Sequence, residues 1–287
     1  MRRSTHCGAS LNGGSRSLRS TPWRRALLLL PLIVLLSGCD KAKALRFGFP
    51  EPVTQQGHRI LSLWTGAFWA ALVVGVFVYA LILWACFRFR RRGSRVPRQV
   101  HYNVPIEALY VALPFVIIGV LFYYTARDET YVDKLTKNPD VRIGVVGFQW
   151  NWQFNYPDEK LQVTGRPGQI PTLVLPVDKR ILFIETSPDV IHSFWVPDFL
   201  FKRDVVPGRA NRFEVRTDKT GTFDGRCAEL CGVYHSRMLF TVKIVPENEY
   251  KRFLITAKAQ AAAGKSDIYS TTSGGTATAA VTAGSPH

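Results

Sequence analysis

Soft metal-binding side chains are scarce in this chain of 287 residues, which has only two methionines, five cysteines and six histidines. One methionine is the first residue, so Met238 is the only other thioether. Acids are also few, 21 Asp and Glu against 37 Lys and Arg, a formal net charge of +16. Yet residues 140–250 hold fourteen of each sign, so the surplus lies near the N-terminus, in one loop and at the ends. A basic excess with that distribution serves topology and lipid contact, and it excludes nucleic acid as the implied partner. No internal repeat is visible.

Long apolar runs are confined to the first half. Residues 61–87 and 104–125 are each long enough to cross about 30 Å of hydrocarbon as a helix. The segment between them carries Arg88, Arg90, Arg91, Arg92, Arg95 and Arg98 and no acid, which sets it on the cytoplasmic side. A transmembrane hairpin over 60–130, with its Arg-rich loop at 88–103, therefore sends both ends outward. Upstream, Arg24 and Arg25 precede a short apolar run, 26–36, that ends in Leu36-Ser37-Gly38-Cys39. This is the layout of an export signal, read as 1–38, followed by an extracytoplasmic segment, 39–59. Leu-Ser-Gly-Cys resembles a bacterial lipobox, which makes Cys39 the expected acylated residue and adds a lipid anchor.

From residue 141 the texture changes to short β-branched and aromatic runs separated by Pro, Gly and Asp. Strands are predicted over 141–152, 172–175, 180–185, 211–217 and 239–245. Phe213, Val215 and Thr217 alternate with Arg212, Glu214 and Arg216, the pattern of a sheet with one face on a core. The expected unit is a small β-sandwich or barrel over 135–250. A short helix follows, and the Ala/Gly/Ser/Thr-rich remainder of 251–287 lacks the apolar surface to order itself, which predicts a flexible tail.

The chemistry concentrates in Cys227-Ala-Glu-Leu-Cys231-Gly-Val-Tyr-His235-Ser-Arg-Met238. A disulfide is the ordinary reading of two nearby cysteines in an exported domain, and a zinc site is the ordinary reading of Cys and His together. Neither accounts for Met238, whereas thiolate, imidazole and a weak thioether together favour copper. Two adjacent thiolates can bridge two copper ions, each then needing an imidazole. The second histidine in the strand-rich region is His192, in Ile191-His-Ser-Phe-Trp-Val-Pro.

These motifs, with Phe148-Gln-Trp-Asn-Trp152 and Asp204-Val-Val-Pro-Gly-Arg209, resemble subunit II of the haem-copper cytochrome c oxidases, of the bacterial lipoprotein type. The resemblance runs from the signal to about Tyr250. It implies a helical hairpin plus an all-β cupredoxin-like domain holding a dinuclear copper centre, CuA, with His192, Cys227, Cys231, His235, Met238 and the carbonyl of Glu229 as ligands. It further implies a magnesium ion on the Glu229 carboxylate at the interface with subunit I, and Trp150 as the point where cytochrome c delivers electrons. Phe148 and Asn151 stand where many relatives have His and Tyr, so the docking surface is expected to differ. Trp150 and Trp152 are predicted to share one face of a single strand. Glu107, near the start of the second membrane helix, matches a carboxylate at the mouth of a proton-uptake path, with pairing to the Arg-rich loop as the alternative. The implied partners are subunit I with its haem and copper, other oxidase subunits, cytochrome c (soluble, tethered or fused) and membrane lipid. The rival readings are a quinol oxidase subunit, which would lack the copper ligands, and a copper carrier, which would hold one labile ion.

Overall fold

The computed structural model describes residues 46–91, 93, 101–166, 168–263 and 269–271. The export signal, Cys39, half of the Arg-rich loop and most of the expected tail lie outside the described residues.

Two helices open the described chain. Helix α1, Gln55–Arg88, starts where the Thr54 side chain accepts from Gly57 N at 3.0 Å and caps an otherwise open first turn. Helix α2, Val104–Val132, is capped by Asn103, whose side chain accepts from Ile106 N, while Glu107 reaches back to accept from Asn103 N at 2.8 Å. Both helices pass the length and composition test for crossing a membrane, and their apolar windows bury nothing against the protein. They are longer than the apolar runs that predict them, because hydropathy reports only the lipid-facing part. At 34 residues α1 is about 51 Å long, well beyond the hydrocarbon thickness.

The extra turns dock onto the β domain. Gln56 is buried and its Oε1 accepts from Arg216 N at 2.9 Å. Beyond α2, Thr136 donates through both its N and Oγ1 to Glu214 Oε2, at 3.0 and 2.8 Å. Asp133 accepts from Arg203 at 2.6 Å. The two helices are tied at this end by Asp128, which pairs with Arg59 and Arg127 at 3.4 and 2.9 Å.

The β domain is a two-sheet sandwich, the architecture expected of a cupredoxin-like domain. Its strands are β1 (Val141–Phe148), β2 (Asn151–Tyr156), β3 (Leu161–Thr164), β4 (Thr172–Pro176), β5 (Arg180–Thr186), β6 (His192–Val196), β7 (Phe201–Val205), β8 (Asn211–Arg216), β9 (Gly221–Cys227), β10 (Leu239–Val245) and β11 (Tyr269–Thr271). One sheet runs β11-β3-β2-β1-β5-β8 and the other β4-β10-β9-β6-β7. Pairing is antiparallel except β1 with β5 and β4 with β10. Between the sheets lies an aromatic core in which Phe194 stacks on Phe240 at 4.7 Å and Phe183 on Phe213 at 4.8 Å. Gly225 makes room for it, since a β-carbon there would stand 2.1 Å from the Phe240 ring.

Two expectations are corrected. The single strand predicted over 141–152 is a hairpin, β1 and β2, that turns at Gln149 and Trp150. Trp150 and Trp152 therefore do not share a strand face: Trp152 is fully buried in the core, while Trp150 sits at the turn, partly exposed. The short helix expected after Tyr250 is α3, Glu247–Ala262, which takes up the first residues of 251–287. It docks through Tyr250, Leu254 and Ala257, buried positions at helical spacing, and Lys258 pairs with Glu159.

Candidate metal centre

Neighbouring strands of one sheet bring the ligand candidates together. Strand β6 starts at His192, β9 ends at Cys227, and their register pairs Phe194 with Cys227. Residues 228–238 then loop back into β10. The loop is pinned at both ends, by Ala228 N to Ser193 O and by Cys227 N to Met238 O, each at 3.0 Å. A one-turn 3-10 helix, His235–Arg237, swings His235 and Met238 back toward the cysteines.

The donor atoms converge in two matched halves. Cys227 Sγ lies 3.9 Å from His192 Nδ1 and 3.2 Å from the Glu229 carbonyl oxygen. Cys231 Sγ lies 3.6 Å from His235 Nδ1 and 3.8 Å from Met238 Sδ. The two sulfurs are 3.9 Å apart, nearly twice the roughly 2.05 Å of a disulfide, and both cysteines are free. Thus each sulfur has one imidazole and one weaker donor. The His192, Cys227 and Cys231 donor atoms all lie within 4.8 Å of one another and all three residues are buried. A buried, soft, sulfur-rich donor set of this kind fits copper, and the symmetry of the two halves fits a pair of ions rather than one.

Electrostatics separate the two thiols when no metal is bound. Burial pushes the Cys227 thiol up, but hydrogen bonds from His192 and from the backbone around Glu229 and Ser193 outweigh it and bring the pKa down to about 7. Burial and the neighbouring Cys227 push Cys231 up to about 12. His192 is held in place from behind, its Nε2 lying 2.9 Å from Asp189 Oδ1, so its Nδ1 faces the sulfurs. Asp189 is fixed by Gln149 N at 2.7 Å and Val190 N at 2.6 Å. Burial would raise the Asp189 pKa, but these hydrogen bonds and those from His192 and Ser187 bring it below the usual carboxylate value.

The turn at Gln149 and Trp150 forms a clamp on the loop. Gln149 Nε2 and Trp150 Nε1 both donate to the Cys231 carbonyl, at 2.8 and 3.1 Å. Gly232 allows it, with φ of +120° and a β-carbon position 3.1 Å from Trp150 Nε1. Trp150 also meets Tyr234 edge to face at 5.0 Å. Beside them opens a groove of about 820 Å³ whose charged lining residues are Arg166 and Arg237.

Of the sequence-predicted site residues, His192, Cys227, Cys231, His235, Met238 and the Glu229 carbonyl come together, and Trp150 abuts their loop. The Glu229 side chain lies on the exposed side of the loop. Glu107 is remote, at the far end of a helix of 29 residues, about 43 Å long. Sequence reasoning missed Asp189, Gln149 and Gly232. A carboxylate three residues before a ligating histidine is the signal that would have found the first.

A family profile described as the periplasmic domain of cytochrome c oxidase subunit II matches residues 169–245. A probable cytochrome c oxidase subunit 2 of Streptomyces coelicolor is 46% identical over 291 residues, covering 85% of this chain and 90% of the relative. Cytochrome c oxidase subunit 2 of Mycobacterium bovis is 37% identical over 302 residues, covering 84% and 83%. Among solved structures, the periplasmic domain of subunit II of cytochrome oxidase from Bradyrhizobium japonicum is 34% identical, with a TM-score of 0.41, covering 44% of this chain and 99% of that one. With relatives of 46% and 37% identity matched over most of their length and of this chain, the chain belongs to the cytochrome c oxidase subunit 2 family.

Proposed function

We propose that this chain is the electron-accepting subunit of a haem-copper oxidase. It holds a dinuclear copper centre through His192, Cys227, Cys231, His235, Met238 and the Glu229 carbonyl. The observation that carries the proposal is the pair of unlinked sulfurs 3.9 Å apart, each with its own imidazole. A copper pair held by these residues would supply one-electron relay chemistry, with the two thiolates as the soft donors that spread its charge.

The protein's part is to keep the donors where they are in either charge state. Backbone bonds lock both ends of the loop, Asp189 fixes the His192 ring, and the Gln149 and Trp150 donors hold the Cys231 carbonyl. Trp150 touches the loop from outside and borders the groove, which supports it as the contact through which cytochrome c delivers electrons. Arg166 and Arg237 give that groove a basic lining, so the matching face of the donor carries acidic or neutral groups. Electrons leave toward haem in subunit I, where oxygen is reduced with proton translocation.

The same reading sets the β domain outside the cell membrane, the Arg-rich loop inside, and Cys39 as a lipid anchor. The exposed Glu229 carboxylate suits a magnesium ion shared with subunit I, since magnesium prefers oxygen ligands. Glu107 is proposed at a proton-uptake path, although its hydrogen bond to Asn103 N also gives it a capping role. Copper content and near-infrared absorption of the purified full-length subunit test the main claim. Two ions per chain with a mixed-valence band support the relay, and a single labile ion would instead make the chain a copper carrier.

A further inference from the structure

Among the described residues, the sandwich buries one carboxylate that neither serves the metal centre nor meets a hydrogen-bond partner. Glu185 lies on β5 between its register partners Val145 on β1 and Asn211 on β8, both uncharged. It shares the inward face of β5 with Ile181 and Phe183 and is 0% exposed. Neither of its oxygens meets a hydrogen-bond donor among the described residues.

Arg203, on β7 of the other sheet, is near enough to act on the Glu185 carboxyl electrostatically. On β7 it alternates with exposed Lys202 and Asp204, lies over the Phe201 ring at 5.0 Å, and spends Nη2 on Asp133 at 2.6 Å. Its Nε is buried and has no partner among the described residues. Strands β7 and β8 are the terminal strands of their two sheets, so Arg203 sits at the seam where the sandwich ends. One buried donor and two buried acceptors left unpaired around one seam is an uncommon arrangement. It is what a polar gap bridged by internal water looks like from the protein side. Burial pushes the Glu185 carboxyl well above the usual carboxylate range, with Arg203 pulling it down and Asp204 pushing it up.

Glu185 also lies near the metal site without touching it. Its partner Val145 stands two residues before Gly147, where a β-carbon would meet His192 Cδ2 at 3.2 Å. Strand spacings put the Glu185 backbone on the order of 8 Å from that contact. A charge arriving at the centre is felt across that distance in a poorly screened interior.

We propose that Glu185 is an internal proton site, exchanging through a water held between its carboxyl and Arg203 Nε, and binding its proton more firmly when an electron sits at the metal centre. The step makes and breaks only the carboxyl O–H bond, with solvent water at the seam as proton source and sink. Its redox response rests on the two-copper reading above.

The test uses the full-length subunit, copper-loaded in detergent, with infrared difference spectra in H2O and D2O and a midpoint potential followed from neutral to alkaline pH. The wild-type chain is expected to show a deuterium-sensitive band of a protonated carboxyl that shifts on reduction, and a potential that falls as pH rises. Both features should vanish in Glu185→Gln, a neutral isostere of the protonated acid. Arg203→Met should slow deuterium exchange into the band, and unchanged exchange would overturn the seam route. Absence of the band from the wild-type protein, or its survival in Glu185→Gln, overturns the proton site. Absence of the band with two coppers bound leaves the relay intact, whereas a band in a chain binding one copper defeats the relay reading instead.

Discussion

Gly232→Ala is the sharpest test of how the loop is held. With φ of +120°, Gly232 occupies backbone space that side-chain-bearing residues rarely enter, and forcing one there costs about 1–3 kcal/mol. The new methyl would stand 3.1 Å from Trp150 Nε1 and 3.3 Å from Gln149 Nε2. Those are the two donors to the Cys231 carbonyl, so the substitution also strains a pair of hydrogen bonds of about 1 kcal/mol each. The middle of that strain range plus half of each hydrogen bond comes to about 3 kcal/mol, and whatever a metal-free loop sheds by relaxing is spent again when the donors are brought back to bind metal. Copper retention against a competing chelator should therefore weaken on the order of 100-fold. No ligand is altered, so copper stoichiometry at saturation should remain at the wild-type value. Retention within threefold of wild type would refute the claim that the Gln149–Trp150 turn clamps the site.

Other outcomes follow from the same geometry. Asp189→Asn removes the anionic partner of His192 Nε2 and should weaken copper binding about 10–100-fold while leaving the β-sandwich folded by circular dichroism. Gly225→Ala drives a β-carbon into the Phe240 ring and should lower folded yield with no change at any ligand, as read by expression and thermal unfolding. In metal-free protein, one thiolate should appear by ultraviolet absorbance as pH rises through about 7, and it should be missing in Cys227→Ser. The second loop thiol should stay protonated until near pH 12. Arg237→Glu, on the basic groove, should slow electron delivery from an acidic donor and flatten its dependence on salt, as read by stopped-flow reduction.

The parts of this fold that follow a simple periodic or compositional rule could be read from the sequence. The two lipid-length runs and the strands over 172–176, 180–186 and 239–245 are of that kind, because apolar run length and β-branching dominate there. The strand ending at Cys227 was not, since Gly221 and Gly225 argue against a strand. Only the structure shows that the second glycine exists to admit Phe240. The His192 and Phe201 strands were hidden in the same way by short lengths and a Pro-Asp turn between them. Trp150 was placed on a strand because Phe148 to Trp152 is uniformly β-prone, and no local pattern marks the reversal at Gln149. At the candidate metal centre five of the six proposed donors could be named from the sequence because they crowd residues 227–238, whereas His192 comes from strand β6. Of their supports, Asp189 is signalled only by its place three residues before His192, and Gln149 reaches the Cys231 carbonyl through a contact that the sequence does not mark. Helix α3 holds to Ala262 because alanine, lysine and glutamine are strong helix formers, and Ala257 gives it one more buried contact.

The central claim is that one electron is shared by two metal ions across paired sulfurs. Electron paramagnetic resonance of the oxidised full-length subunit, with the spin count set against copper content on the same sample, tests it most directly. Two coppers per chain and one unpaired electron for the two are expected. One copper per chain, or one unpaired electron for every copper, would contradict it.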